Sequence, residues 1–237
     1  MHAIYYLITL AATGIVGVLY AENILELKDI GTSILALFGT FLGATLAFRL
    51  TENKEQQKIK SLQREALNRV LFVLIRQHNA IIQLKRDFDK YPKDFEAAFN
   101  MPALKPPAYG DLVHNISDLE FLLESSNPNI LFKLTVEQER FHQAIDSLRI
   151  RNEFYVNEVQ RAIATAAMNG KSVSIEEAAK LLGERIFGGA MNGAKFAREH
   201  IIASNESIPE IMTEFRALAK ETFPTHKFLS YEIPQEK

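Results

Sequence analysis

The 237-residue sequence contains no cysteine and no tryptophan. The absence of cysteine excludes disulfide frameworks, thiolate metal clusters and cysteine nucleophiles. Charge is also missing locally, because residues 1–21 and 30–48 contain no Asp, Glu, Lys or Arg. After position 48 the acidic and basic residues balance, so no net field attracts nucleic acid. We therefore predict no direct sequence-specific nucleic-acid binding.

The two uncharged stretches each contain an apolar run long enough to cross a bilayer. These runs are residues 3–20 and 31–48. As helices they extend about 27 Å, which is close to the hydrocarbon thickness. A signal peptide is the alternative for the first run, but no basic residue precedes it, and Leu19 stands where cleavage requires a small residue. We predict a transmembrane helical hairpin over residues 1–50, with the lipid bilayer around it.

The basic residues beside the two runs predict their orientation, because positive charge near membrane ends is retained in the cytoplasm. Lys28 is the one basic residue between the runs, whereas several follow the second run. The first of these are Arg49, Lys54, Lys58 and Lys60, which we also expect to contact anionic lipid headgroups. The prediction is two spans with both termini in the cytoplasm.

The second run carries a face of small residues. Gly39 and Gly43 form a G-x-x-x-G pair that continues to Ala47, with Ala36 beside it. Such a face lets two helices approach closely in lipid. It is expected to pack either on the first run of the same chain or on a second copy of the chain, and both alternatives remain open.

The first run carries a weakly polar stripe at four-residue spacing, formed by Tyr5, Thr9 and Thr13. In an oligomer this stripe could line a narrow pore. The alternative is that the threonine hydroxyls bond back to carbonyls of their own helix. No ionisable side chain lies inside either run, which argues against a proton-coupled carrier.

Beyond the hairpin, apolar residues recur at helical spacing without strand alternation, which predicts an all-α protein. Residues 51–91 lack Gly and Pro, which predicts a stalk-like helix that continues from the second span. The second half of this helix is expected to be covered by other helices. Residues 92–112 contain four prolines and predict a connector. Residues 113–237 predict a cytoplasmic helical bundle.

Local signals divide this bundle into helices. We expect a short helix over residues 111–125 and a long one from about 129 to 168. Ser174 and Glu177 form a capping box at the start of the next helix. A last helix is predicted over residues 204–222, followed by an irregular tail.

The long helix carries four arginines, with aromatic residues between them: Arg140, Arg149, Arg151 and Arg161. Arginine beside an aromatic ring can hold phosphate and stack on a base, so a partner or ligand could dock here. Acidic residues share the helix, and a solvated face laced with salt bridges is the favoured alternative.

Four glycines interrupt the helix that follows: Gly183, Gly188, Gly189 and Gly193. Each costs about 1 kcal/mol relative to alanine in a helix interior, so another interaction must offset that cost. Tight packing against a neighbouring helix is one explanation. A hinge used in switching is the other.

The sequence carries no recognisable catalytic constellation. The stretch GGAMNGAKF differs from a phosphate-binding loop, since Ala194 separates Gly193 from Lys195 and Phe196 replaces the hydroxyl. Glu139 and His142 have di-iron spacing, but no second copy of the motif exists. The Arg–His spacing of HEPN-type ribonucleases is absent as well. We predict a protein that is not an enzyme and needs no cofactor or metal.

Several stretches resemble a known group of proteins: LALFGTFLGATLAFRL, KEQQKIKSLQREALNR, SDLEFLLESSNPN and ERFHQAIDSLRIRNEF. With the two-span layout, they resemble small membrane proteins of bacterial genomes, some encoded in anti-phage defence loci such as retrons. The resemblance implies an inner-membrane effector that a cytosolic protein or nucleoprotein holds in check and that damages the membrane when infection releases it.

Combined with the small-residue face, this resemblance predicts a non-enzymatic effector that forms homo-oligomers and permeabilises the bacterial inner membrane. The alternative is a membrane-anchored scaffold or adaptor that recruits a cytosolic partner and opens no pore.

Overall fold

The computed structural model describes residues 14, 17, 27–104, 109–168, 170–171 and 173–230. Every regular element in this part of the chain is helical, and none is a β-strand, so the all-α prediction is confirmed. The elements are α1 (Leu27–Asp89), α2 (Asp94–Phe99), a 3₁₀ segment (Ile116–Glu124), α3 (Ile130–Phe154), a π-helical segment (Tyr155–Val159), α4 (Gln160–Thr165) and α5 (Ile175–Thr222).

The chain divides into two compact units, Met1–Lys60 and Ser61–Lys237, and the division falls within α1. In the smaller unit, no residue between 31 and 60 is buried. In the larger unit, α1 contributes core residues such as Leu67 and Leu71, which have no exposed surface. The unit boundary therefore differs from the predicted boundaries after residues 50 and 91, because burial along the helix begins after residue 60.

The core of the larger unit forms where side chains of α1, α3 and α5 are buried together. Phe88 of α1, Phe141 of α3 and Phe215 of α5 are among its largest fully buried side chains. Each comes from the apolar face of its helix, and their removal from water supplies the main drive for packing. The predicted cover over the second half of the long N-terminal helix is present here.

The buried face of α5 contains several small residues. The large apolar side chains of Leu181 and Phe196 are about half exposed. Ala190, Ala194 and Ala197 take the buried positions instead. Small side chains at a helix contact allow the axes to approach closely, and α5 packs chiefly against α3.

The proline-rich connector contains a helix of its own. Pro92 and Pro102 bracket α2, whose residues Ala97, Ala98 and Phe99 are buried. The prolines prevent a continuous helix through the region, as expected. They leave room for one short turn of helix, which becomes part of the core.

The short helix expected over residues 111–125 is a 3₁₀ segment that begins only at Ile116. Leu119 and Leu122 within it are fully buried. A 3₁₀ helix has three residues per turn, so residues three apart lie directly above one another on one face. This geometry lets both leucines enter the core.

The long helix predicted over residues 129–168 contains a change of hydrogen-bond pattern. Within the π-helical segment Tyr155–Val159 the bonds run five residues back instead of four, and the Gln160 N–H donates to the Tyr155 carbonyl. Such segments arise where one residue is added to a helical turn. Periodic analysis of the sequence did not find this segment.

The end of α4 is a Schellman motif. The Met168 N–H donates to the Ile163 carbonyl at 3.1 Å, and the Ala167 N–H donates to the Ala164 carbonyl at 3.1 Å. Ala167 has a φ of 52°, the left-handed conformation that this motif requires and that glycine usually supplies. The helix therefore ends at Thr165, three residues before the predicted end.

The start of α5 follows the predicted cap. Ser174 has extended backbone angles, and its hydroxyl oxygen accepts a hydrogen bond from the Glu177 N–H at 3.1 Å. A serine in this position satisfies one of the free N–H groups of the first helical turn. This local prediction is confirmed.

The prediction of a new helix at residue 204 is wrong, because α5 runs through this point. Ser204 is fully buried within the helix. Pro209 lies in the helix interior, where it lacks the N–H that would bond to the Asn205 carbonyl. His78 of α1 makes a hydrogen bond to the Asn205 backbone, so a side chain replaces the missing donor.

The buried histidines predict acid sensitivity. Burial lowers the pKa of His114 from its ordinary value of 6.5 to about 4, and burial also lowers the pKa of His78. Below pH 6.5, His114 binds a proton in the unfolded chain, whereas in the folded chain it stays neutral until the pH approaches 4. The stabilisation present above pH 6.5 is therefore lost as the pH falls toward 4.

We expect the His114 contribution alone to remove about 2 kcal/mol of unfolding free energy between pH 7 and pH 5. Denaturant titrations of the full chain in detergent at both pH values measure this loss. His114→Gln, which does not titrate here, should show a correspondingly smaller pH dependence. An unchanged pH dependence in that variant would contradict the assignment.

Candidate functional site

Among the described residues, α1 is the one helix that is long and apolar enough to cross a membrane, judged by length and composition. Residues 31–48 expose apolar side chains on all faces of the helix. Leu35 is 74% exposed, Phe38 is 63% exposed and Phe48 is 80% exposed. A helix that is apolar on every side is typical of a membrane span or of a helix buried among partners.

Two threonines of this stretch and one just after it bond to their own helix. The hydroxyls of Thr40, Thr45 and Thr51 donate to the carbonyl oxygens four residues earlier, at 2.8, 2.8 and 2.9 Å. Hydrocarbon offers no hydrogen-bond partner, so any polar group inside it must be satisfied within the protein. These three threonines meet that requirement.

The small-residue face of α1 is open in the described part of the chain. Ala36 and Ala47 are exposed, and no described atom lies within 4 Å of where a Cβ on Gly39 or Gly43 would stand. The helix backbone is thus accessible along this face. Its contact with the first run or with a second copy stays a prediction.

Most of the first run lies outside the described residues, and with it the predicted stripe of Tyr5, Thr9 and Thr13. Gly14 and Gly17 are described and helical. The pore-facing role of the stripe stays a prediction.

The predicted headgroup contacts all lie on α1 and are exposed: Arg49, Lys54, Lys58 and Lys60. At the rise of an α-helix they occupy about 17 Å of its length directly after the apolar stretch. This spacing fits the polar zone of a bilayer surface. Their contact with lipid stays a prediction.

The structure does not bring the four candidate docking arginines to one surface. Arg140 lies 3.6 Å from Glu137 and Arg149 lies 3.1 Å from Asp146, each within one helical turn. Arg161 is exposed. The pairs on α3 match the alternative of a solvated face with local ion pairs.

Arg151 is buried instead of exposed, with 3% of its surface accessible. Its guanidinium donates to the carbonyl oxygens of Ala97, Met101 and Pro102, at 2.7, 2.5 and 3.0 Å. It also lies over the Tyr155 ring, 4.7 Å from the ring centroid. Arg151 therefore fixes the end of α2 to α3 and is unavailable to an external ligand, so its predicted docking role is not retained.

Asn152 completes this polar contact between the connector and α3. Its side-chain amide donates to the Leu104 carbonyl, and its side-chain oxygen accepts from the Leu104 N–H at 3.3 Å. We name Arg151 and Asn152 the connector clamp. The signal for it was present in the sequence, because Arg151 follows Leu148 by three residues and precedes Tyr155 by four, on the same apolar face.

We expect Arg151→Lys to lower the unfolding free energy by about 2–4 kcal/mol. A lysine keeps the charge but cannot reach three carbonyls in a fixed fork, so buried acceptors lose their donors. Arg149→Lys on the exposed side is the matched control and should change stability by less than about 0.5 kcal/mol. Equal effects in denaturant titrations would refute the clamp.

Gly183 marks a break in α5. Its backbone has a φ of 72° and a ψ of 159°, a conformation that is almost confined to glycine. The helix changes direction at Gly183, one of the four glycines for which a hinge was the second explanation. Movement at this residue stays a prediction.

The other three glycines of α5 have different surroundings. A Cβ on Gly189 would stand 2.8 Å from Cζ of Phe154, so this glycine permits close packing of α5 on α3. A Cβ on Gly193 would make an ordinary contact with Arg151, with a nearest distance of 3.7 Å. A Cβ on Gly188 would meet no described atom within 4 Å. Only one of the three therefore needs glycine for space.

These surroundings predict opposite effects of two neighbouring substitutions. Gly188→Ala should raise the unfolding free energy by about 0.5–1 kcal/mol, because alanine favours the helix and has room. Gly189→Ala has the same helix preference but must displace the Phe154 ring, so we expect a net loss of about 1 kcal/mol. Thermal unfolding of both variants in detergent checks the difference, and equal shifts would contradict it.

No metal-binding cluster is found among the described residues. No group of three or more His, Cys, Asp or Glu side chains among them could hold a metal ion. His142, from the E-x-x-H pattern, has its Nε2 atom 2.9 Å from the side-chain nitrogen of Gln138 on the same helix. This contact lies within α3 and joins no second helix.

Comparison with protein-family models, curated proteins and solved structures gave no match for this chain.

Proposed function

We propose that this protein is a non-enzymatic effector of the bacterial inner membrane that forms homo-oligomers and perturbs the bilayer. The observation that carries the proposal is the apolar stretch of residues 31–48, which is exposed on all faces and in which the hydroxyls of Thr40 and Thr45 bond to their own helix. In this proposal it is the second of two spans, with both termini in the cytoplasm and a cytoplasmic helical bundle after it.

Self-association is proposed to occur through Ala36, Gly39, Gly43 and Ala47. No described atom lies beside either glycine, which supports this, because close backbone approach is what favours helix association in lipid. The opposite face carries Leu37, Phe41 and Phe48, which would face the lipid chains. Basic residues from Arg49 to Lys60 would contact the headgroups.

The role in anti-phage defence rests on the resemblance of the four sequence stretches described above. In that role a cytosolic protein or nucleoprotein binds the helical bundle and restrains the effector until infection. The proposal needs neither a cofactor nor a metal.

A membrane-anchored scaffold is the second candidate. The larger unit has a hydrophobic core of its own, which favours this candidate. A unit with its own core can bind a partner whether or not the spans associate. In this case the membrane segment serves only as an anchor.

Expression of the full chain in bacteria with a membrane-potential dye tests the effector proposal. We expect depolarisation and cross-linked oligomers, and both should decrease at least about tenfold in Gly39→Leu, because leucine blocks close backbone approach. Phe41→Leu on the opposite face is the matched control and should behave as the parent. A monomeric chain that leaves the potential unchanged at high expression would contradict the effector and favour the scaffold.

A further inference from the structure

The larger unit contains a half-open cavity of about 660 Å³. Its walls come from α2, from the π-helical segment with α4, and from the turn that follows the Schellman motif. This volume lies within the range of about 300–1,000 Å³ that small-molecule sites occupy. None of its described lining residues belongs to residues 31–60, and none is an arginine.

The π-helical segment determines what one wall presents. Tyr155 and Gln160 both line the cavity, and the Gln160 N–H donates to the Tyr155 carbonyl. In an α-helix, residues five apart point to different sides. Because the π-type bond closes over five residues, it brings these two side chains to the same side. The wall thus presents an aromatic ring and an amide together.

A second wall and the rim complete the chemistry. Phe95 and Phe99 of α2 contribute aromatic rings whose centroids are 5.0 Å apart and whose planes are tilted by 47°, and Asn100 adds a second amide. The Schellman motif turns the chain so that Lys171 reaches the rim, where it is exposed. Lys171 is the one cation among the described lining residues, and none of those residues is acidic.

This set matches a ligand with a flat ring and an anionic group. Aromatic side chains stack on bases, side-chain amides offer both donors and acceptors to a base edge, and a lysine ammonium binds phosphate. From this arrangement we infer that the cavity binds a mononucleotide, with its base among the aromatic residues and its phosphate at Lys171. The inference goes beyond the proposed function and does not depend on any membrane activity.

Ligand-detected NMR titration of the full chain in detergent tests the inference, with AMP, GMP, CMP and UMP as probes. We expect saturable binding of at least one of the four, weakened about tenfold or more in Lys171→Gln through loss of the charged contact. Gln160→Ala should weaken binding by a smaller factor. Arg149→Gln, which removes an exposed cation outside the cavity, is the matched control and should bind as the parent does.

Two further probes separate the parts of the ligand. Adenosine should bind the parent more weakly than AMP does, because adenosine lacks the phosphate. In Lys171→Gln, adenosine and AMP should bind with equal affinity. Inorganic phosphate alone should compete only weakly, because it lacks the base. Absence of saturable binding of all four mononucleotides up to about 1 mM, a free energy of about −4 kcal/mol, would overturn the inference. Binding that neither cavity variant changes would overturn it as well.

Discussion

The apolar surface of residues 31–50 constrains the rest of the molecule, because nothing in the described part of the chain covers it. Nine large apolar side chains between residues 34 and 50 are exposed. Each would gain roughly 1.5–3 kcal/mol on leaving water. The backbone of this stretch is bonded within the helix, and the hydroxyls of Thr40 and Thr45 donate to the carbonyls of Ala36 and Phe41. Transfer of residues 31–48 to hydrocarbon therefore removes the apolar cost and leaves these hydroxyls bonded within the helix, while Arg49 lies just beyond the stretch.

In the larger unit, a proline-rich connector is held against a helical core. Prolines remove backbone donors, so the carbonyls around α2 need partners from elsewhere. The connector clamp supplies them, with Arg151 donating to three carbonyls and Asn152 bonding to both backbone groups of Leu104. Burial lowers the pKa of Arg151, but its hydrogen bonds and its contact with the Tyr155 ring stabilise the charged guanidinium.

Features that depend on neighbouring residues were predictable from the sequence. The apolar stretch of α1 and the Ser174 cap each arise from a pattern within a few residues, and the structure contains both. The long continuous helix after the apolar stretch follows equally from the absence of Gly and Pro.

Features that depend on distant partners were not predictable in this way. The helix continues through Ser204 with Pro209 inside it, and the Asn205 backbone there is hydrogen-bonded to His78, more than a hundred residues away in the sequence. The sequence alone does not distinguish Gly183, Gly188 and Gly189. In the structure, Gly183 has a left-handed backbone and Gly189 lies against Phe154. The π-helical segment likewise leaves the apolar periodicity nearly unchanged, so the cavity wall that it forms carried no signal.

The central claim is that lipid surrounds the apolar part of α1. Fractionation of cells that express the full chain, followed by alkaline extraction of the membranes, tests it most directly. The account predicts that the chain stays with the membrane pellet and is released only by detergent. A chain that appears as a monomer in the aqueous supernatant without detergent would contradict it.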